Sequence, residues 1–361
     1  MYKTIEEITL SKYIRWEPFR FLLESCYRDI PIDHINLYID LYPIIRSMVS
    51  DRYDIVQTDN SALSSYIINM AAHYRAFFRS VYGVYTNIVM VWGYNIPQHI
   101  INIIPDYNLA MQHRYDDKYG WIGDLLNITK GVLKNLIAYI QGVYFIQTEF
   151  ETNVVIYDLI RNRLDNGDGN PNIVISKDPM SIRLAITDPS VAIVRPKKHK
   201  VEGGGYGDNS YAVRFPINEE YTKLFWMGYC EERKLKYNEK YLIHPCNLST
   251  ILSLTAQPSR NLSAILRYNS VVKLIHNIIQ DNPIQLSPES LIANDINTFN
   301  NIADIFMARW KALDLDFQRN VFYKNSGESK LMDLEDKVDS NELYNINNRL
   351  FQKYPLALDK F

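Results

Sequence analysis

Apolar residues along this chain alternate between a period of two and a period of three to four, and that alternation lays out the elements. His34-Ile-Asn-Leu-Tyr-Ile39 is a short buried strand ending at Asp40. From Ser61 onward Leu63, Tyr66, Ile67, Met70, Tyr74, Phe77, Phe78 and Val81 recur at helical steps, with Ser61 placed as a cap. A second strand follows at Asn87-Ile-Val-Met-Val-Trp92, then a polar and aromatic stretch over 95–120 suited to a loop or a partly helical arch. A helix from about Leu125 to Gln141 leads into a strand at Val143-Tyr-Phe-Ile-Gln147, and a helix spans Glu151 to Leu164. Asn166-Gly-Asp-Gly-Asn-Pro171 is a turn, Asn172-Ile-Val-Ile-Ser176 a fourth strand and Val191-Ala-Ile-Val194 a fifth. Strands alternating with helices predict an α/β fold, a mostly parallel central sheet with helices on both faces. A helical C-terminal region completes it. The pattern divides the chain into an N-terminal extension (1–33, with a helix near Glu17–Arg28) and the α/β domain (34–200). A Gly-rich linker or hairpin (201–218), a helical region (219–285) and a helical C-terminal extension (286–361) follow, the last holding an acidic stretch at Asp333–Asp339.

Composition narrows the classes. A formal charge of −2 and a pI near 6.4 argue against a protein that coats nucleic acid, though not against a local basic track. Cys26, Cys230 and Cys246 have neither disulfide nor zinc spacing, and the expectation is a reducing, cytoplasmic setting, the host cytoplasm or a virion if the source is viral. No apolar run is long enough to span a membrane, so no membrane partner is expected. The abundance of Tyr, Asn and Ile is what an A/T-rich genome encodes, and a virus or phage fits that bias.

The residues at the predicted carboxyl ends of the strands carry a resemblance. Ile35-Asn-Leu-Tyr-Ile-Asp40 resembles a first strand ending in a metal-binding Asp. Val89-Met-Val-Trp-Gly-Tyr94 is similar to a V-F-D-G strand, Pro105-Asp-Tyr-Asn108 with Arg114 to P-x-Y-K and a later Arg, and Glu151-Thr-Asn-Val-Val-Ile156 to E-A-D-D-x-I. Ile173-Val-Ile-Ser-Lys-Asp178-Pro-Met180 is similar to a strand and turn read as S-G-D-x-D, and Leu254-Thr-Ala-Gln-Pro-Ser-Arg-Asn261 to L-x-G-D-x-S-D-N. Taken in order, from Ile35 to Ile279, these resemble the flap-endonuclease and 5′→3′ exonuclease family (PIN-like), the nuclease of bacterial DNA polymerase I and its phage relatives.

That family works by two-metal phosphodiester hydrolysis, which needs a cluster of carboxylates for hard divalent ions. The resemblance implies that Asp40, Glu151 and Asp178 keep a carboxylate. Gly93, Asn153, Val154, Met180, Gln257 and Arg260 stand where others would be, and Asn108 replaces the arch Lys. The glycine hairpin that lets backbone amides reach phosphate is Ala264-Ile-Leu-Arg-Tyr-Asn269, whose side chains bar that approach.

The reading that follows is a catalytically inactive relative that binds nucleic acid or serves assembly in a viral or phage replication, transcription or virion complex. Its partners are other proteins of that complex and DNA, and its cofactor none, or a single weakly held Mg²⁺ or Mn²⁺ on Asp40, Glu151 and Asp178. Two alternatives stay open: a weakly active metal-dependent 5′ nuclease using those three acids, and a purely structural scaffold. The three acids could equally cap helices or turns, and Glu149 could stand in for Glu151 if the register slips by two. For nucleic-acid contact the candidates are Arg195, Lys197, Lys198 and Lys200, with Lys130 and Lys134 one turn apart on a helix, and Arg114. Each has a solvated-surface alternative, as do Arg75 and Arg79.

Overall fold

The computed structural model describes residues 32–45, 60–93, 98–105, 120–137, 140–148, 150–195, 198–200, 206–208, 211–214, 219–280, 284–326 and 356. The expectations at Glu17–Arg28, Asn108, Arg114, Glu149, Lys197, the three glycines at 203–205, and the acidic stretch at Asp333–Asp339 lie outside these residues.

Six strands form the central sheet: β1 (His34–Asp40), β2 (Tyr85–Gly93), β3 (Val143–Thr148), β4 (Asn172–Ile175), β5 (Val191–Arg195) and β8 (Tyr211–Arg214). Their order is β3-β2-β1-β4-β5-β8, the first five parallel and β8 antiparallel to β5. Between β5 and β8 lies a small antiparallel pair, β6 (Lys198–Lys200) with β7 (Tyr206–Asp208). The stretch read from sequence as a linker or hairpin over 201–218 thus holds one arm of a hairpin and a sheet strand. Its glycines hid β8, which offers only Tyr-Ala-Val-Arg as a signal.

The period-two pattern of the strands divides the core cleanly. Ile35, Leu37 and Ile39, with Ile88, Met90, Trp92, Ile173, Ile175, Ala192 and Val194, face α1 (Asn60–Tyr82) and α3 (Gly120–Ile137). Tyr38, Val89, Val91, Val174, Val191 and Ile193 face the other way, onto α4 (Thr152–Asp165), the 3₁₀ helix Pro179–Ile186, and Leu315 and Phe322 of the helix Leu315–Ser326. Apolar strand residues are buried on both sides of the sheet, which is why both faces must be covered by helices. In α1 the helical spacing holds except at Val81, which is 45 % exposed near the helix end.

A third core belongs to the helical region. There α5 (Glu219–Glu232), α6 (Leu248–Leu254), α7 (Tyr268–Ile279), α8 (Pro288–Asn294) and α10 (Ala303–Leu313) enclose Trp226, Leu252, Val271, Leu291, Phe299 and Phe306, with Met180 and Ile182 reaching in from the sheet side. The connecting short helices are α2 (Gln98–Ile103) and α9 (Ile296–Phe299), and the chain returns to the sheet in α11 (Leu315–Ser326). Arg319 Nε donates to Asp158 Oδ1 at 2.8 Å, Tyr157 donates to Asp316, and Phe150 meets Phe322 edge-on, holding α11 against α4.

At the amino edge of the sheet Arg75 is buried and donates to the carbonyls of Gln141 (2.6 Å) and Thr86 (3.1 Å), with its guanidinium over the Tyr85 ring. It is a structural clasp, not a phosphate contact. Gly142 beside it has φ +68°, and a Cβ there would meet Tyr85 Oη at 2.0 Å and Arg75 Nη2 at 2.9 Å. Gly142→Ala is therefore expected to lower stability by about 1–3 kcal/mol, from the left-handed backbone and the displaced Tyr85 together. Urea unfolding of the two proteins measures it, and equal midpoints would contradict the clasp.

Candidate active site

In a doubly wound sheet the loops after adjacent strands part where the strand order reverses, leaving a crevice at their carboxyl ends. Here the order reverses between β1 and β4: the chain runs outward from β1 to β2 and β3, then returns to β4 beside β1 and continues to β5. Asp40 ends β1 and Asp178 follows β4 by three residues, so both stand at that crevice. Glu151 sits just before α4, after β3. The structure brings all three together at one end of the sheet, with Gly93 at the end of β2.

Ser176 ties Asp40 to Asp178. Its hydroxyl donates to Asp40 Oδ2 at 2.7 Å and accepts from the Asp178 amide at 3.0 Å. Asp178 Oδ1 accepts from the Met180 amide at 3.0 Å, capping the 3₁₀ helix, while Oδ2 accepts from Asn153 at 3.1 Å and from Arg260 at 2.5 Å. The capping alternative thus holds for Asp178 alongside its place in the cluster. It does not hold for Glu151, whose side chain caps nothing at the start of α4.

Glu151 is instead an ion-pair hub. Its Oε1 accepts from Arg183 Nη2 and from Arg260 Nη2, both at 2.8 Å, and all three side chains are at most 7 % exposed. Arg183 is also fixed by Nε to the Met180 carbonyl (3.0 Å) and by Nη1 to the Leu313 carbonyl (2.7 Å). Sequence reasoning missed Arg183. The one signal available was a single charge inside the apolar run Pro179–Ile186, a place where charge survives only if paired.

Burial pushes the Asp40 carboxyl up to about 8, with neighbouring Asp178 adding to the effect and the Ser176 hydrogen bond opposing it. Burial also works against charge on Asp178, but Arg260 first, then the Met180 amide and Arg183, hold its carboxyl below the ordinary range. The two carboxylates nearest the arginines are thus matched by two guanidinium groups, and the third acid is protonated below about pH 8.

Of the remaining positions expected to have lost acids, Asn153 keeps a neutral amide oxygen in the cluster and the others supply no carboxylate. Met180 is fully buried and apolar, Val154 packs under the sheet, and Gln257 Nε2 is committed to the Leu252 carbonyl and the Thr255 hydroxyl. Gly93 has no room for any side chain, since a Cβ there would meet the Phe150 carbonyl oxygen at 2.7 Å and the Thr152 amide at 2.8 Å. Among the described residues no group of three or more His, Cys, Asp and Glu is placed to hold a metal ion. This donor set, with Arg260 inside it, does not fit a pair of divalent ions about 3.5–4 Å apart.

Among solved structures, similarity is found to phage nuclease structures. The chain is similar to bacteriophage T5 5′-exonuclease. A structure of that protein with bound zinc shares 11 % identity at a TM-score of 0.48, over 89 % of this chain and all of the other. A T5 flap endonuclease variant in a pseudo-enzyme–product complex with DNA and metal ions shares 10 % at 0.48, over 87 % of this chain and 99 % of the other. No family model matches the chain, and no curated protein does.

The basic candidates separate. Arg195 is the last residue of β5, and the run continues into β6 with Lys198 and Lys200, so its backbone leaves the sheet at the same edge as Asp40. Lys130 lies half-buried over the Trp92 ring at 5.0 Å, its pKa lowered by that burial, whereas Lys134 is exposed one turn further along α3.

The raised Asp40 pKa gives a signed pH dependence. The unfolded side chain loses its proton near 3.9 and the folded one near 8. Between those values only the folded state holds the proton, so this group's contribution to stability falls as pH rises from about 4 to about 8 and is level above that. Asp40→Asn keeps the acceptor for Ser176 and removes the titration. The variant should gain on the parent by on the order of a few kcal/mol from pH 5 to pH 8.5, read by denaturant unfolding at both values. A constant difference across that range would refute the assignment.

Proposed function

We propose that the chain is a 5′-nuclease-like protein that does not cleave, and that it works as a nucleic-acid-binding or assembly component of a viral or phage replication, transcription or virion complex. The observation that carries the reading is Arg260, whose guanidinium joins Glu151 to Asp178 where a nuclease of this kind needs negative charge left over for its metal ions. Hydrolysis of a phosphodiester by two divalent ions requires carboxylates that attract cations, a lowered pKa for bound water and stabilisation of the leaving oxygen. Of the three acids here, one is protonated at neutral pH and two are neutralised from within the chain. Glycine at position 93 supports the same reading, because the neighbouring loop has closed over the place a β2 carboxylate would need.

Retained binding finds support in the basic run at the crevice edge. Arg195, Lys197, Lys198 and Lys200 are close in sequence, and the backbone at Arg195 leaves β5 beside the site, a place from which a backbone track of phosphates could be neutralised. The near-neutral overall charge makes that contact local.

One experiment tests both halves. A 5′-flap duplex is incubated with the protein and Mg²⁺ or Mn²⁺, and cleavage and complex formation are followed across a salt series. Expected are an intact substrate and a complex that weakens steeply with salt. In the variant with all four basic residues changed to Ser, the slope of log affinity against log salt should be smaller by roughly 3. Cleavage that Asp40→Asn abolishes would overturn the inactive reading. An uncleaved substrate with no complex even at low salt would leave protein assembly as the function.

A further inference from the structure

Three buried oxygens in the site have no hydrogen-bond partner: Asp40 Oδ1, Glu151 Oε2 and Asn153 Oδ1. Their residues are each at most 2 % exposed. Buried acceptors without donors are few in folded proteins, and each calls for an explanation. These three belong to side chains already linked to one another, since Asn153 donates to Asp178 and Glu151, and Asp40 and Asp178 share Ser176. Asp40 Oδ1 carries that residue's proton, so the acceptors left without a donor are Glu151 Oε2 and Asn153 Oδ1, and the cluster holds more acceptors than donors. Its charge is met by two side chains, Arg183 and Arg260.

The two arginines are not equivalent. Arg183 uses Nε and Nη1 on the carbonyls of Met180 and Leu313, which anchor it whatever Glu151 does. Arg260 alone bridges two carboxylates, placing one Nη2 against Glu151 and Asp178 at 2.8 and 2.5 Å. A single positive group shared between two carboxylates is the position a small hard cation takes among oxygen ligands.

We propose that Arg260 is a built-in counter-cation that closes an oxygen-donor site to divalent metal, and that its removal uncovers a site for one hard divalent cation among Asp40, Glu151, Asn153 and Asp178. The proposal rests on the non-catalytic reading of the site and deepens it by naming what stands in the metal's place. It is limited to one ion, because Gly93, Met180 and Gln257 supply no carboxylate for a second. Among the described residues, without Arg260, Asp178 loses its ion-pair partner and Glu151 keeps Arg183. An uncompensated buried carboxylate is strongly destabilising. A cation that binds only the folded state then restores stability in proportion to its occupancy.

The test is thermal unfolding of the full chain in EDTA and in millimolar Mn²⁺, for the parent, Arg260→Lys and Arg260→Ala. The parent and Arg260→Lys should melt at the same temperature in both solutions. Arg260→Ala should melt lower in EDTA by on the order of 5–10 °C and regain about half of that in Mn²⁺. If Arg260→Ala does not fold in EDTA, it should fold when diluted from denaturant into Mn²⁺. Three results would overturn the proposal: Mn²⁺ stabilisation of the parent that Asp178→Asn removes, an Arg260→Ala protein as stable as the parent, or loss of stability that Mn²⁺ leaves unchanged. The function proposed above fails on a different result, cleavage of the flap substrate by the parent. An inert parent with a Mn²⁺-insensitive Arg260→Ala variant would sink this inference alone.

Discussion

The Glu151 carboxylate accepts hydrogen bonds from two buried guanidinium groups, and the way the helical region sits on the sheet depends on it. Arg183 belongs to the 3₁₀ helix that follows β4, Arg260 to the turn after α6, and Glu151 to the entry of α4. Arg183 also holds the last carbonyl of α10. Four segments from both sides of the molecule are fixed through one acid. Such a cluster carries a heavy desolvation cost, and it is tolerated because each carboxylate finds a partner at hydrogen-bonding distance.

On the non-catalytic reading proposed above, the same contact accounts for a site that keeps three acids and answers them from within the chain. Carboxylates at a strand-end crevice repel one another, and something positive must answer them. Here the answer is a side chain of the protein itself, Arg260. Once Arg260 lies between Glu151 and Asp178, further carboxylates would only restore repulsion. Positions 93, 180 and 257 hold a glycine, a buried methionine and a glutamine bound to backbone and hydroxyl, all of which pack without charge. Asp40, which among the described residues accepts its hydrogen bond from Ser176 rather than from an arginine, keeps its proton instead.

Much of this was legible in the sequence where the physics is local. Period-two alternation in Ile35–Ile39 and Ile88–Trp92 and the helical spacing of Leu63–Phe78 arise from packing on two faces of a sheet, and they read directly as strands and helix. The meeting of Asp40, Glu151 and Asp178 followed from each lying at a strand's end. Arg260 was visible as a charge in the wrong place, but not as a bridge, because its partners are 109 and 82 residues away. Arg183 is a lone charge in an apolar run, and only the three-dimensional position of Leu313 and Glu151 gives it a role. β8 escaped notice because four residues after a glycine-rich run carry too little pattern, and its place is set by pairing with β5.

The claim that one shared ion pair joins the sheet to the helical region is tested most directly by a double-mutant cycle of Glu151→Gln and Arg260→Ala, with stability measured by denaturant unfolding at neutral pH. If Glu151 is the hub described here, the two changes should fail to add, with a coupling of at least about 2 kcal/mol. Losses that sum to the double variant's within about 0.5 kcal/mol would contradict it.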